Sequence, residues 1–112
     1  MPTPKVLLVD DERSVTTLLL LALKDAGYAA DAVNSGQDAI DRLSEDVFDV
    51  VISDLRMDRV DGLDVLRAAR HRSPAPAVLI MTGHGSIDSA VEAMKLGASD
   101  YLTKPVDPNE LK

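Results

Sequence analysis

The 112-residue chain has no cysteine, which excludes a disulfide framework, a thiolate metal site and a thiol nucleophile. It also lacks a basic excess. Lys and Arg number 12 against 19 Asp and Glu, a formal net charge of −7, and this argues against a direct hold on a nucleic-acid backbone. No apolar run is long enough for a signal-peptide core or a membrane span. Low-complexity segments and internal repeats are missing too. These absences lead us to expect a soluble, cytoplasmic protein, and the length suits one domain with one core over residues 1–112.

What is present is an alternation of short apolar runs and helical patterns. Within residues 5–9, Val6-Leu7-Leu8-Val9 form a continuous apolar run suited to a strand buried on both faces of a parallel sheet. Val15, Leu18, Leu19, Ala22, Leu23 and Ala26 follow at helical spacing, closed by Gly27 at a left-handed cap position. Tyr28 to Val33 reads as a second strand, and Ser35 as the cap of a helix carrying Ala39, Ile40 and Leu43. Phe48 to Ser53 is the third strand, followed by a helix with Leu63, Leu66 and Ala69 on its apolar stripe. Ala77 to Met81 is the fourth strand, and Ile87, Ala90, Val91 and Met94 mark a helix ended by Gly97. Asp100 to Thr103 is the fifth.

Strands and helices alternating through short connections imply an α/β fold with a parallel sheet covered on both faces. The expected architecture is flavodoxin-like, doubly wound, with strand order 2-1-3-4-5. A fifth helix is signalled by Asp107-Pro108-Asn109-Glu110, which has the cap, first-turn proline and glutamate of a capping box. The chain stops at Lys112, about one turn later, too little for a stable helix. The sequence is therefore read as a piece of a longer protein, with its fifth helix truncated. The sheet face left uncovered would favour a homodimer.

Chemistry gathers where the apolar runs end. The first runs into Asp10 and Asp11, the third into Asp54, the fourth into Thr82 and the fifth into Lys104-Pro105. In open α/β sheets the carboxyl ends of the strands border the ligand crevice. The set then brings together three carboxylates, a hydroxyl and an ammonium. An acid after a strand often only caps the next helix, but two adjacent acids with a third at another strand end ask for a cation. Hard oxygen ligands without His or Cys suit Mg2+. A carboxylate beside such an ion can act as a nucleophile toward phosphorus, with the Lys104 ammonium and the Thr82 hydroxyl placed for the phosphoryl oxygens. Glu12 and Asp58 read as solvated or helix-end charges, His84 as an exposed loop histidine, and His71, between Arg70 and Arg72 at a helix end, is assigned no role.

The stretches Val9-Asp10-Asp11-Glu12, Ser53-Asp54-Leu55-Arg56-Met57, Asp61-Gly62-Leu63, Met81-Thr82-Gly83 and Tyr101-Leu102-Thr103-Lys104-Pro105 together resemble the receiver domain of two-component response regulators. The resemblance implies the CheY-like form of the fold, with Asp54 as phosphoacceptor and a sensor histidine kinase as phosphodonor. It implies that Asp11 binds Mg2+ directly, Asp10 mostly through water, and that the backbone carbonyl of Arg56 completes the metal site. Lys104 would contact the phosphoryl group, and the Lys104-Pro105 bond would be cis. Thr82 and Tyr101 become a switch pair. Charge on Asp54 draws Thr82 and the Gly83-His84-Gly85-Ser86 loop inward, and Tyr101 turns into the vacated space, altering the surface of the fourth helix and fifth strand.

On that reading the chain is not an enzyme beyond its own phosphorylation and dephosphorylation. One departure is Asp58-Arg59-Val60, where many receivers carry a proline and a small residue. Met81 to Ile87 and Ala90 to Ala98 look most like receivers of the NtrC class. That class controls an AAA+ ATPase domain working with an alternative sigma factor and a DNA-binding domain, and FixJ-class receivers share much of the pattern. Two competitors are weighed against this. A haloacid-dehalogenase-type phosphohydrolase places a second acid two residues after its nucleophile, where this chain has Arg56. A phosphate-independent binding module would be favoured by the loss of any acidic or lysine position, and none is lost.

Overall fold

The computed structural model describes residues 3–55, 57, 59–82 and 87–103, with side chains for 91–102 of the last segment. The elements alternate as β1 (Lys5–Val9), α1 (Arg13–Asp25), β2 (Ala29–Val33), α2 (Gly36–Glu45), β3 (Val50–Asp54), α3 (Gly62–Arg70), β4 (Ala77–Thr82), α4 (Ile87–Lys95) and β5 (Asp100–Thr103). The five strands form one sheet in the order β2-β1-β3-β4-β5, parallel throughout. The expected architecture is thus observed. The start of the expected fifth helix, from Asp107, lies outside the described residues, and no helix among those described is long and apolar enough to cross a membrane.

Alternation along the strands builds two cores. Leu7, Val9, Val51, Val78 and Ile80 face α2 and α3, packing with Ala39, Leu43, Val65, Leu66 and Ala69, and with Ala93 of α4. The intervening residues Val6, Leu8, Ile52 and Met81 face α1 and pack with Leu19 and Leu23. Because successive strand side chains point to opposite faces, uninterrupted apolar runs are what a sheet covered on both sides requires.

Two helices bury less of their apolar pattern than their spacing predicts. In α1 the buried residues are Thr16, Leu19 and Leu23, while Leu18 is 56 % exposed and Ala26 is exposed as the C-cap. The run Leu18 to Leu21 has apolar residues all round the helix, so spacing alone cannot say which of them face the sheet. In α4 the small Ala93 is buried, whereas Val91 and Met94 are exposed. The side chains of Ile87 and Ala90 are outside the described residues.

Helix ends follow their local chemistry. Ser35 Oγ accepts the Asp38 N–H at 3.1 Å, and Asp61 and Asp64 form a reciprocal capping box at the start of α3. Gly27 and Gly97 take left-handed φ values of 95° and 109° after α1 and α4, a conformation that favours glycine. At Gly97 a Cβ would fall 1.6 Å from Arg70 Nη1, so the arginine at the end of α3 lies across the end of α4. At the amino edge of the sheet, Lys5 Nζ donates to Asp46 and lies 5.1 Å from the centre of the Phe48 ring.

Two outcomes follow. Leu7→Ala is expected to cost about 2–5 kcal/mol in urea unfolding, since Leu7 is fully buried, whereas Leu18→Ala should stay within about 0.5 kcal/mol. The second concerns acid. The Lys5 hydrogen bond, helped by the Val47 N–H, holds the Asp46 carboxyl below its ordinary 3.8. A depressed carboxyl pKa favours the folded state above the unfolded value, and that contribution is lost as pH falls through the folded one. Lys5→Met should therefore flatten the stability curve below pH 3.8 in pH-dependent thermal melts.

Candidate functional site

The register of the sheet assembles the site. Val9 pairs with Ser53, so the residues that follow, Asp10 and Asp54, stand side by side at the carboxyl edge. Asp54 pairs in turn with Met81, which sets Thr82 one step further out, opposite Thr103 of β5. β1 and β3 are neighbours from which the chain winds in opposite directions, the place where ligands bind in this class of sheet. Asp54 and Thr82 are the last residues of their strands and do not follow them, one residue later than the periodicity predicts. The β3–β4 ladder runs on past Asp54, because the Leu55 N–H donates to the Met81 carbonyl at 2.9 Å.

Asp10 is fully buried, Asp54 is 7 % exposed and Thr82 is 5 % exposed; Asp11 is exposed. One carboxylate oxygen from each of Asp10, Asp11 and Asp54 lies within 4.8 Å of the others. At that separation two unit charges repel by on the order of 3 kcal/mol at an effective dielectric of about 20. Each of the three acids also takes part in a further polar or electrostatic interaction. The donor set is hard oxygen from three carboxylates, with no histidine in the cluster. It fits a divalent cation that prefers oxygen, such as magnesium.

Asp10 and Asp54 have backbone contacts of their own. The Asp10 N–H donates to the Val33 carbonyl at 3.3 Å, and Asp10 Oδ1 accepts the Glu12 N–H at 2.9 Å. The cap reading and the ligand reading of Asp10 therefore coexist: one oxygen steadies the turn into α1 while the carboxylate remains in the acidic cluster. Glu12 itself is exposed and supplies the N-cap backbone of α1 without a side-chain cap bond. On β3, Ser53 Oγ donates to the Asp54 carbonyl at 3.0 Å.

The loop after β3 returns sharply upon it. The Gly62 N–H donates to the Leu55 carbonyl at 2.8 Å, and a Cβ on Gly62 would fall 2.4 Å from the Asp54 carbonyl oxygen. Only a residue without a side chain lets α3 begin so close to Asp54. Within this loop Arg59 adopts a φ of 62°, left-handed backbone that is costly for a residue with a Cβ.

Of the residues expected from sequence, Asp10, Asp11 and Asp54 come together and Thr82 lies beside them at the strand ends. Tyr101 pairs with Ile80 and is 46 % exposed. Lys104, Pro105 and the peptide bond between them, Arg56 with its carbonyl, Asp58 and the segment Gly83 to Ser86 lie outside the described residues. His71 is the C-cap of α3. Sequence reasoning missed Asn34, whose Nδ2 donates to the Asp10 carbonyl at 2.9 Å and to Thr16 Oγ1 at 3.1 Å. A polar residue between a strand and a helix-capping serine gives no sign that it reaches another strand end.

Comparison with known proteins places this geometry. The family model for the response regulator receiver domain matches residues 6–112. The chain is 44 % identical over 107 residues to the transcriptional regulatory protein ZraR of Escherichia coli K12, covering 96 % of the chain and 24 % of that protein. It is 42 % identical over 108 residues to the alginate biosynthesis transcriptional regulatory protein AlgB of Pseudomonas putida, with the same coverage. The chain thus spans about a quarter of the length of these curated relatives. Among solved structures, a response regulator receiver domain protein from Clostridium thermocellum superposes with a TM-score of 0.90 at 36 % identity, covering 96 % of this chain and 87 % of that one. The Vibrio cholerae chemotaxis protein CheY4 superposes with a TM-score of 0.90 at 32 % identity, covering 98 % and 93 %.

The Gly62 contact yields a direct check. Gly62→Ala should destabilise the domain by about 1–3 kcal/mol, because the atoms it meets are backbone and cannot swing aside. Urea unfolding of the variant beside the wild type measures this.

Proposed function

The chain belongs to the response regulator receiver domain family of two-component systems, and from that membership we propose that Asp54 accepts a phosphoryl group from a sensor histidine kinase. The observation that carries the assignment is the buried Asp54 carboxylate at the end of β3, clustered with Asp10 and Asp11. An oxygen of Asp54 attacks phosphorus, the new O–P bond forms as the P–N bond to the kinase histidine breaks, and the imidazole leaves with the electron pair and takes up a proton. Little covalent work is asked of the domain. Positioning and charge compensation carry most of the step.

Asp11 is the direct metal ligand in this reading, Asp54 a second, and Asp10 acts mostly through water, with the Arg56 carbonyl completing the set. Magnesium, when bound, offsets the charge of the carboxylates and of the phosphoryl oxygens. Lys104 places its ammonium on the same oxygens. Water attack on the acyl phosphate later restores Asp54, so the domain's only chemistry is on itself.

The phosphoryl group adds a charge of about −1.5 to −2 where Asp54 stood. Thr82, buried at the end of the adjoining strand, supplies a hydroxyl that follows this charge. Tyr101, now exposed, turns toward the space Thr82 leaves. Such coupling is typically worth about 1–3 kcal/mol, so phosphorylation shifts a population without creating a new fold. The surface that changes is that of α4 and β5, with the fifth helix expected beyond them. In the whole protein it would govern a transcriptional output unit, with an AAA+ ATPase and a DNA-binding domain as in the NtrC class. The domain assignment over residues 1–112, its place in the cytoplasm and homodimer formation belong to the same reading.

Incubation with Mg2+ and acetyl phosphate, followed by intact mass, should show one added phosphoryl group on the wild type and none on Asp54→Asn. No adduct, with steady phosphate release from organic phosphates, would favour a phosphohydrolase instead. Thermal melts supply a second check. Mg2+ should raise the melting temperature by linkage, and Asp11→Asn should abolish that rise while raising the melting temperature of the metal-free domain.

A further inference from the structure

We infer that Asn34 is a positioning residue for the acid pair, setting the geometry in which Asp10 and Asp11 meet a divalent cation. The inference rests on the magnesium reading of the site. Asn34 lies in the connection between β2 and α2 and has no contact with Asp54 or the phosphoryl position among the described hydrogen bonds. Its amide donates to the Asp10 carbonyl at 2.9 Å. That carbonyl belongs to the peptide unit joining Asp10 to Asp11, the backbone link between the two residues from which both carboxylates project. The preceding residue holds the other side of Asp10, since the Val33 carbonyl accepts the Asp10 N–H. Consecutive residues thus grip the backbone of Asp10 by its donor and its acceptor.

The grip transmits position because Asn34 is itself anchored. Its Nδ2 also donates to Thr16 Oγ1 at 3.1 Å, and Thr16 is 4 % exposed in the first turns of α1 with its own hydroxyl donating to the Arg13 carbonyl. Two residues on, Gly36 starts α2 so close to the loop after β3 that a Cβ there would fall 2.2 Å from the Val60 carbonyl oxygen. The connection therefore touches α1, the turn carrying Asp10 and Asp11, and the loop after Asp54. It spans the two halves of the acidic cluster without contributing a ligand, as groups that orient metal ligands commonly do.

The test is a magnesium titration by calorimetry on the wild type, Asn34→Ala and Asn34→Leu. Leu keeps the branched outline of the side chain, though larger, without a donor and serves if Ala fails to fold. Val78→Ala, a buried position near the amino end of β4, controls for general loss of stability. The expected result is a Kd for Mg2+ raised about 10-fold in the Asn34 variants, with Val78→Ala within twofold of wild type at a temperature where all are folded. Asn34 variants that melt lower yet bind Mg2+ as the wild type does would show a purely structural residue and overturn the inference alone. Absence of binding in the wild type would overturn the magnesium reading and this inference with it.

Discussion

Negative charge crowded into a small volume at the carboxyl edge of a parallel sheet is the constraint on which the domain depends. The crowding is imposed by pairing register: once Val9 faces Ser53, Asp10 and Asp54 must be neighbours. A slip of one residue would send one of the two side chains to the other face. The apolar core on both sides of the sheet fixes that register, so burial energy at a distance from the site holds the acids together against their repulsion. Stability of the fold is in this sense converted into affinity for whatever positive or electrophilic group enters the site.

The rigid part of the arrangement is backbone packed on backbone. Gly62 brings α3 against the carbonyl of Asp54, and Gly36 brings α2 against Val60. Arg59, with its left-handed backbone, directly precedes Val60. Val60, the last residue of the departure Asp58-Arg59-Val60 noted in the sequence, is thus packed against Gly36, a glycine outside that tripeptide.

Most of the fold was legible because it is written in strong, short-range signals. Continuous apolar runs announced buried strands, Ser35 announced a helix start, and Gly27 and Gly97 announced helix ends. The acids were legible because burial disfavours a carboxylate directly after such a run unless a partner or cation compensates its charge. The helix faces were harder. Leu18 to Leu21 form an unbroken apolar stretch, and which of them lies inward is decided by the docking angle of α1 on the sheet, a tertiary quantity. Asn34 was illegible for a related reason: its hydrogen bond to Asp10 joins residues 24 apart through the β1–β2 pairing, and no local pattern encodes it.

The arginine lying over Gly97 differs in kind from the glycine contacts near Asp54. At Gly62 and Gly36 the facing atoms include main-chain oxygen, whereas at Gly97 all three are side-chain atoms of Arg70, a long, exposed group able to swing into water. The domain is therefore graded in compliance: unyielding where α2 and α3 abut the end of β3 and the loop after it, soft where α3 meets the end of α4. A helix bounded by a movable side chain can tilt without breaking backbone packing, so strain released at the carboxyl edge would be taken up first on the α4 side of the molecule.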